Sequence, residues 1–145
     1  MPSQQRILIV DDTPANIAII GLALADLYEI IVATNGHDAL RLAGGEPLPD
    51  LILLDILMPG MDGYEVCRRL KEDPATKNIP VIFITALSEV NEEERGLLLG
   101  AADYLTKPIS RPIVRARVAT QLALHDQTRE LERLVDQRKN GLLPP

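Results

Sequence analysis

Five short apolar runs, each closed by a turn or opening a helical pattern, constrain this chain more than any other feature. They are Arg6–Val10, Glu29–Ala33, Asp50–Leu54, Ile79–Thr85 and Asp103–Leu105. Continuous apolar runs of this length read as strands buried on both faces, as parallel sheets require. Between them lie helical patterns. The first opens at Thr13-Pro14, where proline suits the first helical position, and runs to about Leu27. Asn35-Gly36 reads as a turn before a short helix, His37–Ala43, which Gly44-Gly45 ends. A third helix, Tyr64–Glu72, follows the breaker-rich loop Met58–Gly63. A fourth, Glu89–Gly100, is capped by Ser88 and acidic in its first turn. A last helical pattern runs from Ser110 to about Lys139. Strands alternating with helices predict an α/β fold, a doubly wound five-stranded parallel sheet covered on both faces.

Size and charge narrow the field further. A chain of 145 residues suits one domain able to bury roughly 70% of its unfolded surface. Hydrophobic residues make up 46% and charged residues 25%, which excludes disordered, collagen-like and purely coiled-coil chains. Residues 1–110 carry 8 basic and 17 acidic side chains, whereas residues 111–145 carry 7 and 4. An acidic body argues against direct DNA binding. The single Cys67 excludes an internal disulfide framework and cannot alone make a structural zinc site. No secretory leader is recognisable, and the nine-residue apolar run Ile17–Ala25 is too short to span a membrane. A cytoplasmic location is the expectation.

In open parallel sheets, ligands sit beyond the carboxyl ends of the strands. The first strand ends in Asp11-Asp12, the third runs into Asp55, the fourth ends in Thr85 and the fifth leads to Lys107. Clustered carboxylates raise one another's pKa unless a cation relieves them. A hard divalent ion does so, and Mg²⁺ takes one or two carboxylates, waters and substrate phosphate. Phosphate would also account for the lysine. A carboxylate beside both is placed to attack phosphorus and carry an acyl phosphate. Each residue also has an ordinary reading. Asp12 could cap the first helix, Asp55 could be a turn aspartate, Thr85 a strand-end threonine and Lys107 a solvated loop lysine. Convergence of four strands on one edge favours the joint reading.

Four stretches carry a resemblance over roughly Arg6–Leu124. They are Ile9–Pro14 (IVDDTP), Pro49–Gly63 (PDLILLDILMPGMDG), Ile79–Ala86 (IPVIFITA) and Gly100–Pro108 (GAADYLTKP). In that order they resemble the receiver domain of bacterial two-component response regulators. The resemblance implies a flavodoxin-like sheet of strand order 2-1-3-4-5, with residues 1–124 as receiver and 125–145 as a helical extension. It implies that Asp55 accepts a phosphoryl group from a histidine kinase or phosphotransfer protein. Asp12, Asp55 and the Leu57 carbonyl would ligate Mg²⁺ directly, and Asp11 through a water. Lys107 would pair with the phosphoryl group, Thr85 would close onto it, and Tyr104 would turn inward as the switch aromatic. Pro108 would follow a cis peptide bond. The readout would lie on the face formed by helix Glu89–Gly100, strand Asp103–Leu105 and the C-terminal helix. Only self-phosphorylation and slow self-dephosphorylation are expected as chemistry, because Leu57 and Leu87, two residues after Asp55 and Thr85, cannot orient water.

Two further patterns concern partners. In the first helix, Ile17, Ile20 and Leu24 can face the sheet, while Ala18, Gly21, Leu22 and Ala25 form a second small or apolar stripe. A helix apolar around most of its girth is usually covered on more than one side. A donor protein, a second copy or the C-terminal helix could cover it. Leu124, Thr128, Leu131 and Val135 alternate spacings of four and three, a short coiled-coil-like seam. A homodimer through either helix is therefore an expectation. His125-Asp126 only faintly suggests a kinase phosphoacceptor histidine, with no nucleotide-binding motif beside it. Two rivals remain. The chain could be the receiver of a larger regulator whose output, a cyclic-dinucleotide enzyme or histidine kinase, lies elsewhere. A haloacid-dehalogenase-type phosphatase needs an aspartate two residues after its nucleophile, where this chain has Leu57.

Overall fold

Each apolar run is a strand: β1 (Arg6–Val10), β2 (Glu29–Ala33), β3 (Leu51–Asp55), β4 (Val81–Thr85) and β5 (Asp103–Thr106). They form one sheet of order β2-β1-β3-β4-β5, all pairs parallel. The computed structural model describes residues 4–86 and 99–139. The predicted helix Glu89–Gly100, with Leu87 and Ser88, lies outside the described residues except for its last two positions, which form a turn.

The period of two along each strand divides the core. Leu8, Val10, Ile52, Leu54, Val81 and Phe83 face one layer with α2 (Gly36–Ala43) and α3 (Gly63–Glu72). Ile7, Ile9, Leu51, Leu53, Ile82 and Ile84 face the other, with α1 (Pro14–Leu24) and α4 (Arg111–Lys139). β3 and β4 are buried at every position, as central strands covered on both sides must be, whereas β2 at the edge is half exposed.

Several boundaries differ from the sequence reading: β4 begins at Val81 rather than Ile79 and β5 runs on to Thr106, and three others have a local reason. α1 stops at Leu24 rather than Leu27, because the Leu24 carbonyl accepts the amides of both Leu27 and Tyr28 at 3.0 Å. That tight turn feeds β2. Asn35-Gly36 is a helix start rather than a free turn: Asn35 caps α2, its side chain accepting the Asp38 amide at 2.9 Å. β3 is shifted one residue, so Asp55 is its last residue and pairs in register with Ile84.

α4 is a single helix of 29 residues, about 43 Å long, unbroken across residues 124 and 125. Its first turns bury Val114, Val118 and Leu122 against the sheet. Arg115 bonds the Ala23 carbonyl at 2.9 Å and Asp26 at 3.0 Å, tying α4 to the end of α1. Arg117 pairs with Asp103 of β5 at 2.9 Å. Beyond Leu122 the apolar seam Leu124, Leu131 and Val135 stands exposed.

Candidate functional site

The carboxyl edge of the sheet gathers the residues named from sequence. Asp11 follows β1, and its amide bonds the Ala33 carbonyl at the end of β2. Its Oδ1 accepts the Thr13 amide at 2.9 Å, which fixes the turn into α1. The residue is fully buried, and its Oδ2 has no hydrogen-bonding partner among the described residues. Asp12 is exposed and does not cap α1; Thr13 holds the N-cap position, with no side-chain bond to the helix. The capping reading of Asp12 therefore falls away.

Asp55 is 1% exposed at the tip of β3, so it is no ordinary turn aspartate. Ligand oxygens of Asp11, Asp12 and Asp55 all lie within 4.8 Å of one another. Lys107 Nζ stands 3.2 Å from Asp55 Oδ1. Burial pushes the Asp55 carboxyl above the usual range, the Asp11 charge pushes it further, and Lys107 pulls it back. Thr85 is buried at the end of β4, where its carbonyl accepts the Lys107 amide at 2.8 Å. That bond carries the β4–β5 ladder one step past Thr106 and sets where Lys107 begins. The Lys107-Pro108 bond is cis, as the resemblance implied.

Tyr104 sits in β5 opposite Phe83 and is partly buried against the α2–α3 layer. Leu57 lies just past β3 with a side chain 57% exposed. On α1, Ile20, Ala23 and Leu24 are buried and Ile17 is packed beside them. Leu22 is 70% exposed, Ala18 and Ala25 are exposed, and Gly21 is half-buried. The second stripe is thus left open even though α4 packs beside α1. His125 lies at the opposite end of the sheet from Asp55, in a groove also lined by Asp50 and Pro80. Burial and Arg129 lower its pKa.

One close approach at the site was not read from the sequence. Gly63, the first residue of α3, packs directly on the backbone of Asp55 and Ile56, and its amide bonds the Ile56 carbonyl at 2.9 Å. The only sequence signal was the Asp62-Gly63 pair at the end of a breaker-rich loop.

The whole stretch of residues 7–119 matches the model of the response regulator receiver domain. The chain belongs to that family. It is 51% identical over 114 residues to the response regulator PleD of Caulobacter vibrioides, covering 78% of this chain and 25% of PleD. It is 41% identical over 119 residues to the phosphate regulon transcriptional regulatory protein PhoB of Rhizobium meliloti, covering 81% of this chain and 52% of PhoB. Among solved structures, it resembles the receiver domain of a signal transduction histidine kinase from Syntrophus aciditrophicus. That match has 38% identity and a TM-score of 0.74, covering 82% of this chain and 90% of that one. It also resembles the BeF3-activated DrrB receiver domain, at 33% identity and a TM-score of 0.73, covering 83% and 98%. The chain spans about a quarter of the length of PleD. Receiver domains are signalling domains, phosphorylated by histidine kinases and Mg²⁺-binding as a family, and this receiver domain carries the acidic cluster that such binding uses. Among the described residues, no helix is long and apolar enough to cross a membrane.

Proposed function

We propose that this receiver domain takes a phosphoryl group on Asp55 from a histidine kinase or phosphotransfer protein and relays the change through Thr85 and Tyr104. One observation carries the reading: three carboxylates from two strand ends meet within 4.8 Å, and Lys107 reaches one of them. The donor set is all oxygen and hard, and a buried Asp11 oxygen has no partner among the described residues, so the residues fit a divalent ion such as Mg²⁺. Asp12, Asp55 and the Leu57 carbonyl would hold it directly, with Asp11 acting through a water. When bound, the ion neutralises phosphoryl oxygens and offsets the crowding of carboxylates.

The remaining work falls to the chain. An ionised Asp55 oxygen attacks phosphorus. The bond from phosphorus to the donor's imidazole nitrogen breaks, and the imidazole leaves with that electron pair and takes up a proton. Lys107, 3.2 Å from Asp55, moves its charge onto the new phosphoryl oxygens, which are stronger acceptors than the carboxylate it leaves. Thr85 lies at the end of the neighbouring strand, where its hydroxyl can donate to the same group. Closing Thr85 onto the phosphoryl group biases a pre-existing equilibrium that Tyr104 reports to the β5–α4 face.

For partners, the stripe of exposed Ala18, Leu22 and Ala25 with half-buried Gly21 is the docking face for the donor or a second copy. The projecting part of α4 offers the seam Leu124, Leu131 and Val135 for pairing between two chains. The chain's quarter share of PleD favours the reading that an output domain completes the regulator. Intact mass after treatment with acetyl phosphate and Mg²⁺, beside Asp55→Ala, tests the chemistry. One added phosphoryl group in the wild type and none in the variant is the expected result. Phosphorylation of both, or of neither, refutes the assignment of Asp55. Size-exclusion chromatography of the same samples reports whether association is the readout.

A further inference from the structure

The loop between Asp55 and α3 carries Leu57, and its return point is unusually tight. A Cβ at Gly63 would stand 2.8 Å from the Ile56 Cα and within the van der Waals surface of the Asp55 carbonyl oxygen. Both obstacles are backbone, so neither can swing away as a flexible side chain would. The Gly63 amide meanwhile bonds the Ile56 carbonyl at 2.9 Å, closing the loop at its base. Within the loop, Gly60 has a φ of 77°, the left-handed turn that sends the chain back toward the sheet. On its outer side Met61 is held by Gly36, the first residue of α2. At the other end, Asp62 caps α3 through the Glu65 amide at 2.9 Å.

We propose that Gly63 is a positioning residue for phosphoryl acceptance: by abutting the backbone of Asp55 and Ile56, it sets both the Asp55 carboxylate and the Leu57 carbonyl in the metal-binding arrangement. This rests on the reading of Asp55, Asp12 and Leu57 as the Mg²⁺ site. Gly63 touches no reacting atom. A larger residue there must push α3 away from β3 or shift the strand tip, and either movement separates Leu57 from the two carboxylates.

The test is the Mg²⁺ dissociation constant, measured by isothermal titration calorimetry on wild type, Gly63→Ala and Asp62→Ala. Asp62→Ala removes the α3 cap and loosens the same helix end without placing an atom against Asp55. The expected result is that Gly63→Ala weakens Mg²⁺ binding at least tenfold and slows phosphorylation by acetyl phosphate. Asp62→Ala should lower the melting temperature yet bind Mg²⁺ within twofold of wild type. Gly63→Ala binding within twofold of wild type, or no more weakly than Asp62→Ala, overturns the proposal. If Gly63→Ala does not fold, amide exchange on the wild type decides. The Gly63 amide should exchange on the order of a hundredfold more slowly than an open loop amide, and more slowly still with Mg²⁺. Exchange at the open-loop rate overturns the proposal. A wild type that neither binds Mg²⁺ nor is phosphorylated fails the site reading itself, before any variant is compared.

Discussion

Removing the Asp55 charge should stabilise this protein in metal-free buffer, although it abolishes the proposed chemistry. Asp55 is 1% exposed and lies within 4.8 Å of two other carboxylates. At an effective dielectric constant of about 20, each repulsion is worth about 3 kcal/mol, and the Lys107 attraction at 3.2 Å about 5 kcal/mol. These nearly cancel once the exposed Asp12 is discounted for screening. Burial then decides the sign, because it is the largest cause holding the Asp55 carboxyl above its usual range. Asp55→Asn keeps the shape, and its amide oxygen can still accept from Lys107. The expected gain at pH 7 with EDTA is on the order of 1–2 kcal/mol, or about 3–6 °C in melting temperature.

The pH dependence follows from the same direction. A carboxyl raised by folding holds its proton more tightly in the native state than in the unfolded one. Wild-type stability should therefore rise as pH falls from neutral through the raised value toward the ordinary carboxylate range. Across that window the advantage of Asp55→Asn shrinks. Mg²⁺ should stabilise the wild type according to its occupancy and the variant much less. Urea denaturation across pH, with EDTA and then with Mg²⁺, measures all three effects. A variant less stable than wild type in EDTA at pH 7, or an advantage that grows toward acid, refutes the reasoning.

Other outcomes follow from single positions. Gly21→Ala adds a Cβ that meets nothing within 4 Å in the middle of α1, so it should stabilise by up to about 1 kcal/mol in thermal melts. Leu22→Glu, at a side chain 70% exposed, should leave stability within about 0.5 kcal/mol. It should slow phosphotransfer from the cognate donor or shift the oligomeric state; neither change would remove the docking face from α1. Leu131→Glu, at a side chain 64% exposed, should convert a dimer to monomer by light scattering without altering acetyl-phosphate uptake. Leu57→Asn places a hydrogen-bonding group beside Asp55 and should shorten the phospho-protein lifetime severalfold. A wild-type lifetime of only seconds in Mg²⁺ would contradict the slow hydrolysis expected of Leu57.

Much of this protein was legible in one dimension because its signals are local and repeated. RILIV, LILL and VIFIT announce buried strands by composition alone, and the breakers between them mark where each ends. The strand ends follow by counting, which locates Asp11, Asp12, Asp55, Thr85 and Lys107. The family resemblance supplied roles that composition could not. What the sequence could not supply was distance. Asp11 and Asp12 are neighbours with the same side chain, yet tertiary packing buries one and exposes the other. The pairing of Lys107 with Asp55 spans 52 residues and exists only because β3, β4 and β5 lie side by side. The Leu27 boundary was missed because one carbonyl, Leu24, accepts two amides, a geometry with no compositional mark. Gly63 reads in sequence as one more breaker, and only the packing of α3 onto the tip of β3 shows that a side chain there would meet the backbone of Asp55 and Ile56. Periodicity and composition record which faces of a segment are buried, so the sequence determined the elements and their order. Contacts between segments distant in the chain depend on how those faces pack, so the site's charge balance and its bracing were decided by the tertiary structure alone.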